Sequence, residues 1–298
     1  MRILVTGTNG LIGSALVRAL RDRGDQVVSL IRPGRLPEIG DVMWSPLEDF
    51  IDRPRIGSCD AVINLAGENI SRRGGADRKK RIYQSRIKGT RLLCDFMSQL
   101  KIPPRVFVCA SAVGYYGDRG DTRLTEETGC GEGFLSSLCR DWEAAADKAA
   151  EAGIRTVKTR FGIVLSRRGG ALAKMLPAFR MALGAVLADG KQYWPWVSLD
   201  DAVRAIIFAL DNRTVKGPVN VVAPQEATNA DFSITLGRVL KRPVFMRIPR
   251  WAVGIIFGDL VRQLVLMSSR VAPRKLTEEG FEFRHTDLAE TLREILER

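Results

Sequence analysis

The first thirteen residues, MRILVTGTNGLIG, restrict the fold of this chain more than any other stretch. An apolar run, Ile3-Leu4-Val5, leads directly into Thr6-Gly7-Thr8-Asn9-Gly10-Leu11-Ile12-Gly13. Helical spacing follows from Ser14 to Arg23, Gly24 stops it, and Val27 to Ile31 is a second apolar run. Strand, glycine turn, helix, glycine stop and strand is the order a dinucleotide site requires. Gly7 is placed for the tight turn off the strand. Gly10, with no Cβ, lets the backbone approach a pyrophosphate, and Gly13 lets the helix pack close to the sheet. The helix N-terminus adds free N–H groups and the positive end of its dipole. Gly7, Asn9, Gly10, Leu11, Ile12 and Gly13 are therefore assigned to cofactor binding. The alternative, a glycine turn in a nucleotide-free α/β protein, has the flanking strands and helix against it.

Strand and helix signals then alternate. Apolar runs at Ile3–Val5, Val27–Ile31, Ala61–Leu65, Val106–Ala110 and Thr156–Lys158 are separated by helical segments at 14–23, 78–100 and 134–152. Alternation of this kind gives an α/β fold with a doubly wound parallel sheet, and continuous apolar runs fit strands buried on both faces. The strand ends along one edge of such a sheet line the ligand crevice, which brings Gly7, Arg32, Ala66 and Ser111 together. After Gly162 the pattern loosens, with further helices expected at 171–183, 200–211, 229–240 and 250–267. The last of these, through Trp251 to Met267, reads as one amphipathic helix covering the core. Asp200 and Asp201 read as caps of the helix that follows them.

Arg32 closes the second strand, directly after Ile31. Sites that select NAD carry Asp or Glu here for the ribose 2′-OH, whereas an arginine forms a fork with the 2′-phosphate of NADP. The expected cofactor is therefore NADP(H), with Ile31 and Arg32 in its site and Arg35 adding positive charge; a solvated surface arginine is the rival reading. The third strand ends in Leu65-Ala66-Gly67, small enough for ribose and adenine to lie against backbone, although plain helix–strand packing accounts for Ala and Gly too.

Composition narrows the classes. The net charge of +12 favours anionic ligands, but the arginines are dispersed and no nucleic-acid motif accompanies them, so no specific nucleic-acid partner is expected. No basic segment followed by an apolar one opens the chain, and no run is long enough to span a membrane, so neither a signal peptide nor a membrane is expected. The five cysteines include no C-x-x-C pair, which fits buried thiols in a reducing compartment. These readings place the chain in the cytoplasm. With one histidine, His285, no metal site is expected.

The spacing Gly7-x-x-Gly10-x-x-Gly13 resembles the extended branch of the short-chain dehydrogenase/reductase superfamily. Asp60-Ala-Val-Ile-Asn-Leu-Ala-Gly67-Glu-Asn-Ile70, Ser111-Ala-Val-Gly-Tyr-Tyr-Gly117, Asp141-Trp-Glu143 and Trp194-Pro-Trp-Val197 narrow the likeness. Together they resemble the atypical "epimerase family protein" group, which is sugar-nucleotide epimerase/dehydratase-like. The resemblance implies a Rossmann-type cofactor domain over residues 1–165. It also implies a smaller C-terminal substrate lobe over 166–298, part of which returns to the main sheet. It sets Arg86 where the family pattern N-x-x-G-T-x-x-L-L has asparagine, on the helix face that supports the site. It also lays Val164 along the nicotinamide end. A small-molecule substrate, with nucleotide sugars as candidates, and a homodimer are further implications.

The superfamily's usual chemistry uses Tyr-x-x-x-Lys on one helix face, with a strand serine beside it. Aligned on Glu143, those two positions hold Leu135 and Cys139. No tyrosine in the chain has lysine four residues on: Tyr83 is followed by Ile87, Tyr115 by Arg119, Tyr116 by Gly120 and Tyr193 by Val197. Aligning Tyr116-Gly117 puts Ala112 at the serine position, with Ser111 beside it. Ser111, Tyr115 and Tyr116 are the candidate catalytic groups, each with a structural role as its rival. Trp194 and Trp196 stack on a sugar or base in one reading and pack internally in the other. The chain then reads as an NADP(H)-binding epimerase/dehydratase-like oxidoreductase without the usual dyad, or as a non-catalytic NADP(H)-binding sensor.

Overall fold

The structure, a computed structural model, describes residues 1–34, 40–70 and 75–297. Its main sheet is built from β1 (Arg2–Thr6), β2 (Gln26–Ile31), β3 (Val42–Ser45), β4 (Phe50–Ile51), β5 (Ala61–Asn64), β6 (Val106–Ala112), β7 (Arg155–Phe161) and β8 (Gly217–Val221). The spatial order is β8-β7-β6-β5-β1-β2-β3-β4, parallel throughout except for the β3/β4 pair. The register sets Val5 against Ser29 of β2 and Ile63 of β5. The order reverses at β1, and a reversal of this kind opens a crevice at the carboxyl ends of the strands.

Alternation along β1 divides its side chains between two cores. Ile3 and Val5 face α1 (Leu11–Asp22) and join Leu16, Leu20, Ile63 and Val108. Leu4 faces the other way and joins Val28, Val62 and Phe107 beneath α2 (Ala76–Ser98) and α3 (Phe134–Glu151). A later helix, α4 (Leu199–Asp211), covers the first face beside α1 through Ala202, Ile206 and Ala209. Both faces of the sheet are thus covered, as strands with apolar side chains on both faces require.

Past β7 the chain builds a third core from Leu165, Leu172, Trp194, Trp196, Phe232 and Leu288. It also contributes β8, which pairs with β7 at Val219↔Thr159.

The expected helix over 250–267 is two helices, Arg250–Phe257 and Asp259–Leu266. Gly258 stands between them with φ +83°, a conformation that ends a helix and that glycine adopts without steric cost. Nor does this stretch cover the core as a single amphipathic face, because Trp251 and Ile255 are exposed. Among the described residues no helix is long and apolar enough to cross a membrane.

Candidate cofactor cleft and the polar network beside it

The glycine loop is built so tightly that side chains do not fit. Gly7 has φ +69°, and a Cβ there would stand 2.6 Å from the Leu65 carbonyl. A Cβ on Gly13 would stand 2.1 Å from the Gly7 oxygen, so Gly13 packs against the loop itself rather than the sheet. Gly10 is the N-cap of α1 and offers no side-chain acceptor to the first turn, which contains no acidic residue. Free N–H groups there face the crevice and suit a pyrophosphate.

Two cavities meet at this loop. The outer one, about 630 Å³, is lined by Asn9, Gly10, Ile31, Arg32, Leu65, Ala66 and Gly67, and also by Trp44, Glu48 and Glu68. The inner one, about 350 Å³, runs past Leu11, Ile12 and Gly13 to Ala110 and Val164. Every cofactor residue expected from the sequence except Arg86 borders one of the two. Arg32 is exposed at the cleft and makes no ion pair among the described residues. Arg35 lies outside the described residues.

Arg86 stands behind Gly67 instead of in the cleft. Its guanidinium donates to the Glu68 and Ile82 carbonyls, at 3.1 and 3.3 Å, and stacks on Trp142. Burial pulls its pKa down. A buried polar chain fixes the neighbouring strand ends. Thr6 Oγ1 donates to Asn64 Oδ1 at 2.7 Å and accepts from the Leu65 and Ala66 N–H groups. Asn64 Nδ2 and Trp142 Nε1 both donate to Thr90 Oγ1 at 2.9 Å.

Leu135 and Cys139, the residues expected from the sequence at the Tyr and Lys positions, are buried and apolar, beside Gly114. Burial, with Glu143 nearby, pushes the Cys139 thiol up to about 12. The polar groups lie further along the same helix. Glu143 accepts two hydrogen bonds from Arg160, Nε to Oε1 and Nη2 to Oε2, both 2.8 Å. Ser111 Oγ donates to the same carboxylate at 2.7 Å. Arg160 Nη1 donates to Tyr116 Oη at 2.9 Å, and that hydroxyl donates to Asn220 Oδ1 at 2.6 Å. Burial pushes the Tyr116 phenol up to about 12, against the pull of Arg160. Burial alone would lower the Arg160 pKa, but its bonds to Glu143 outweigh that and raise it. The Arg160 guanidinium also lies 3.6 Å from the ring centre of Tyr115. The structure therefore gathers Ser111, Tyr115 and Tyr116 around one ion pair. Sequence reasoning did not assign a role to either of its members, Glu143 and Arg160.

Comparison with known proteins bears on this geometry. Residues 3–223 match the model of the NAD dependent epimerase/dehydratase family. The chain belongs to that family. Residues 248–295 match a second model, Domain of unknown function DUF1731. Epimerase family protein ML0860 of Mycobacterium leprae is 37% identical over 97% of this chain and 94% of its own length. The crystal structure of human epimerase family protein SDR39U1 with NADPH is 35% identical, covers 100% of this chain and 99% of its own, and superposes with a TM-score of 0.90. The nucleoside-diphosphate sugar epimerase of Corynebacterium glutamicum is 32% identical with a TM-score of 0.81; the match covers 99% of this chain but 58% of that one.

Elsewhere in this family member, one reading left open by the sequence is decided, and the expectation that Asp200 and Asp201 cap α4 is corrected. Trp194 and Trp196 are buried in the third core, so they pack rather than stack on a ligand. The cap of α4 is Ser198, whose Oγ accepts from Asp201 N–H at 2.9 Å; Asp200 and Asp201 follow in the first turn. Asp201 is wholly buried and accepts from the Arg284 and His285 N–H groups at 2.9 and 2.8 Å, which ties the C-terminal segment to α4. Asp200, Asp201 and His285 bring their donor atoms within 4.8 Å of one another. The His285 ring is engaged by Ser198 and Glu294.

Proposed function

We propose that this protein binds NADP(H) in the cleft at the glycine loop and acts as an epimerase/dehydratase-like oxidoreductase without the usual Tyr/Lys dyad. The observation that carries the cofactor choice is Arg32. It stands at the end of β2, on the same cleft as the glycine loop and without an ion-pair partner among the described residues. The 2′-phosphate of NADP would supply that partner, as a guanidinium fork matches phosphate oxygens. Binding of NADPH by the human relative supports this choice. Gly7, Asn9, Gly10, Leu11, Ile12 and Gly13 would hold the pyrophosphate, Ile31, Leu65, Ala66 and Gly67 the adenosine half, and Val164 the nicotinamide end. Arg86 would act from behind Gly67, by fixing the strand end. In this scheme residues 1–165 form the cofactor domain and 166–298 the substrate lobe.

Bound nicotinamide would supply hydride transfer. The protein's own task is then to move a proton at the substrate oxygen. Of the three candidate hydroxyls, two have their protons committed: Ser111 to Glu143 and Tyr116 to Asn220. The Tyr115 hydroxyl makes no hydrogen bond among the described residues; the side chain is half-buried and carries the Arg160 cation on its ring face. Tyr115 is therefore the proton donor in this reading, and Ser111 offers lone pairs to a substrate hydroxyl. Nucleotide sugars are the substrate class that the Corynebacterium relative suggests. The second reading, a sensor that binds NADP(H) without turnover, is favoured by the apolar Leu135 and Cys139 where the dyad would sit.

A panel of nucleotide sugars assayed with NADPH and with NADP tests both readings. Slow turnover is expected, and Tyr115→Phe lowers it by about a hundredfold or more. Vigorous turnover surviving Tyr115→Phe, Tyr116→Phe and Ser111→Ala together would remove these residues from the chemistry. Normal NADPH binding with no turnover on any substrate would favour the sensor.

A further inference from the structure

One end of the C-terminal lobe has a composition that neither the cleft nor the network uses. Strands Ala185–Leu187 and Met246–Ile248 run parallel, with Ala185 beside Met246. The turns leading into them therefore lie side by side, and Arg242 Nε donates to the Arg180 carbonyl at 2.9 Å between them. Both turns contain a non-glycine residue in the left-handed region, Ala182 with φ +59° and Lys241 with φ +54°. Three large apolar side chains project from this tip, Met181 at 64%, Leu183 at 54% and Phe245 at 75% exposure. Arg180, Lys241 and Arg242 are exposed around them, and none pairs with a carboxylate among the described residues. No Asp or Glu occurs in residues 170–188 or 240–258.

We propose that this tip is a docking surface for an anionic phospholipid bilayer. Apolar side chains that protrude singly from two turns suit a fluid surface that closes around them, whereas a folded partner would need a matching concavity. The cations around them match the negative potential of acidic headgroups, and their long stems reach past the apolar groups to the phosphates. A second copy of this chain is disfavoured by charge, since a two-fold contact would set the same cations against one another. Nucleic acid would use the cations and leave Phe245 and Leu183 without a role. Arg180 ends the helix Gly170–Arg180, whose first residues Gly170 and Ala171 line the inner cavity. At 1.5 Å per residue the tip stands about 15 Å from that cavity, so docking leaves the cleft open.

The test is co-sedimentation of the full chain with vesicles of phosphatidylcholine alone and of phosphatidylcholine mixed with phosphatidylglycerol, at low salt. Binding is expected to the mixed vesicles only. The double change Leu183→Ser/Phe245→Ser should weaken it about tenfold or more, and Arg180→Gln/Lys241→Gln/Arg242→Gln should abolish the preference for phosphatidylglycerol. Thermal unfolding of each variant checks that it is folded, and all five positions are exposed and outside the cleft. Failure of wild type to bind mixed vesicles would overturn the proposal. So would retention of full vesicle binding by a folded Leu183→Ser/Phe245→Ser variant. Two further results would also overturn it: a solution dimer that this variant dissociates, without vesicle binding, or duplex DNA binding that only the triple variant loses.

Discussion

Burying the Arg160 guanidinium removes it from water, and Glu143 with Tyr116 Oη replaces that solvation. Removing one partner of such a pair leaves an uncompensated charge, at a cost of about 3–5 kcal/mol. Glu143→Ala should lower stability by that amount in urea unfolding, whereas Glu143→Leu/Arg160→Met should recover most of it; equal losses would show that the pair is not coupled. The thiols behave differently. Burial pushes Cys59 up to about 11 and Cys94 and Cys139 to about 12, and raises Cys109 as well. Only thiolate reacts, and a pKa of about 12 leaves roughly one part in ten thousand ionised at pH 8. Iodoacetamide at that pH should therefore modify at most Cys130, the half-buried thiol, in the folded protein, as mass spectrometry will show. Arg32 and the three glycines are legible in the sequence because their roles are local to one strand–turn–helix unit. The Thr6–Asn64–Thr90–Trp142 chain is not, because its members lie 58, 26 and 52 residues apart along the chain and meet only in the fold.

Long elements follow from periodicity, and short ones do not. The helices Leu11–Asp22, Ala76–Ser98 and Phe134–Glu151 each match a segment expected from helical spacing, because three or more buried side chains repeat along one face. The strands β3 and β4, four and two residues long, carry too few positions to show a period. The break at Gly258 is hidden in the sequence because one glycine inside an apolar run is compatible with a continuous helix. Gly258→Ala decides between the two. In a continuous helix alanine would stabilise by about 1 kcal/mol. At φ +83° it should destabilise by about 1–2 kcal/mol, measurable in denaturant unfolding.

At the scale of the molecule, backbone hydrogen bonds to one buried carboxylate tie the end of the chain to the helices over the sheet. The last segment of the chain returns to α4 through Asp201, and Asp201→Ala would leave the Arg284 and His285 N–H groups without their acceptor. Hydrogen exchange should then lose protection at 284–297 well before the main sheet, with a stability loss of about 2–3 kcal/mol. The central claim concerns the cleft, where the reversal of strand order, the glycine loop and Arg32 meet. Titration of wild type and Arg32→Asp with NADPH and with NADH tests it most directly. Wild type should prefer NADPH by about 2 kcal/mol, roughly thirtyfold, and Arg32→Asp should erase that preference while keeping NADH affinity. Equal affinity of wild type for the two cofactors would contradict it.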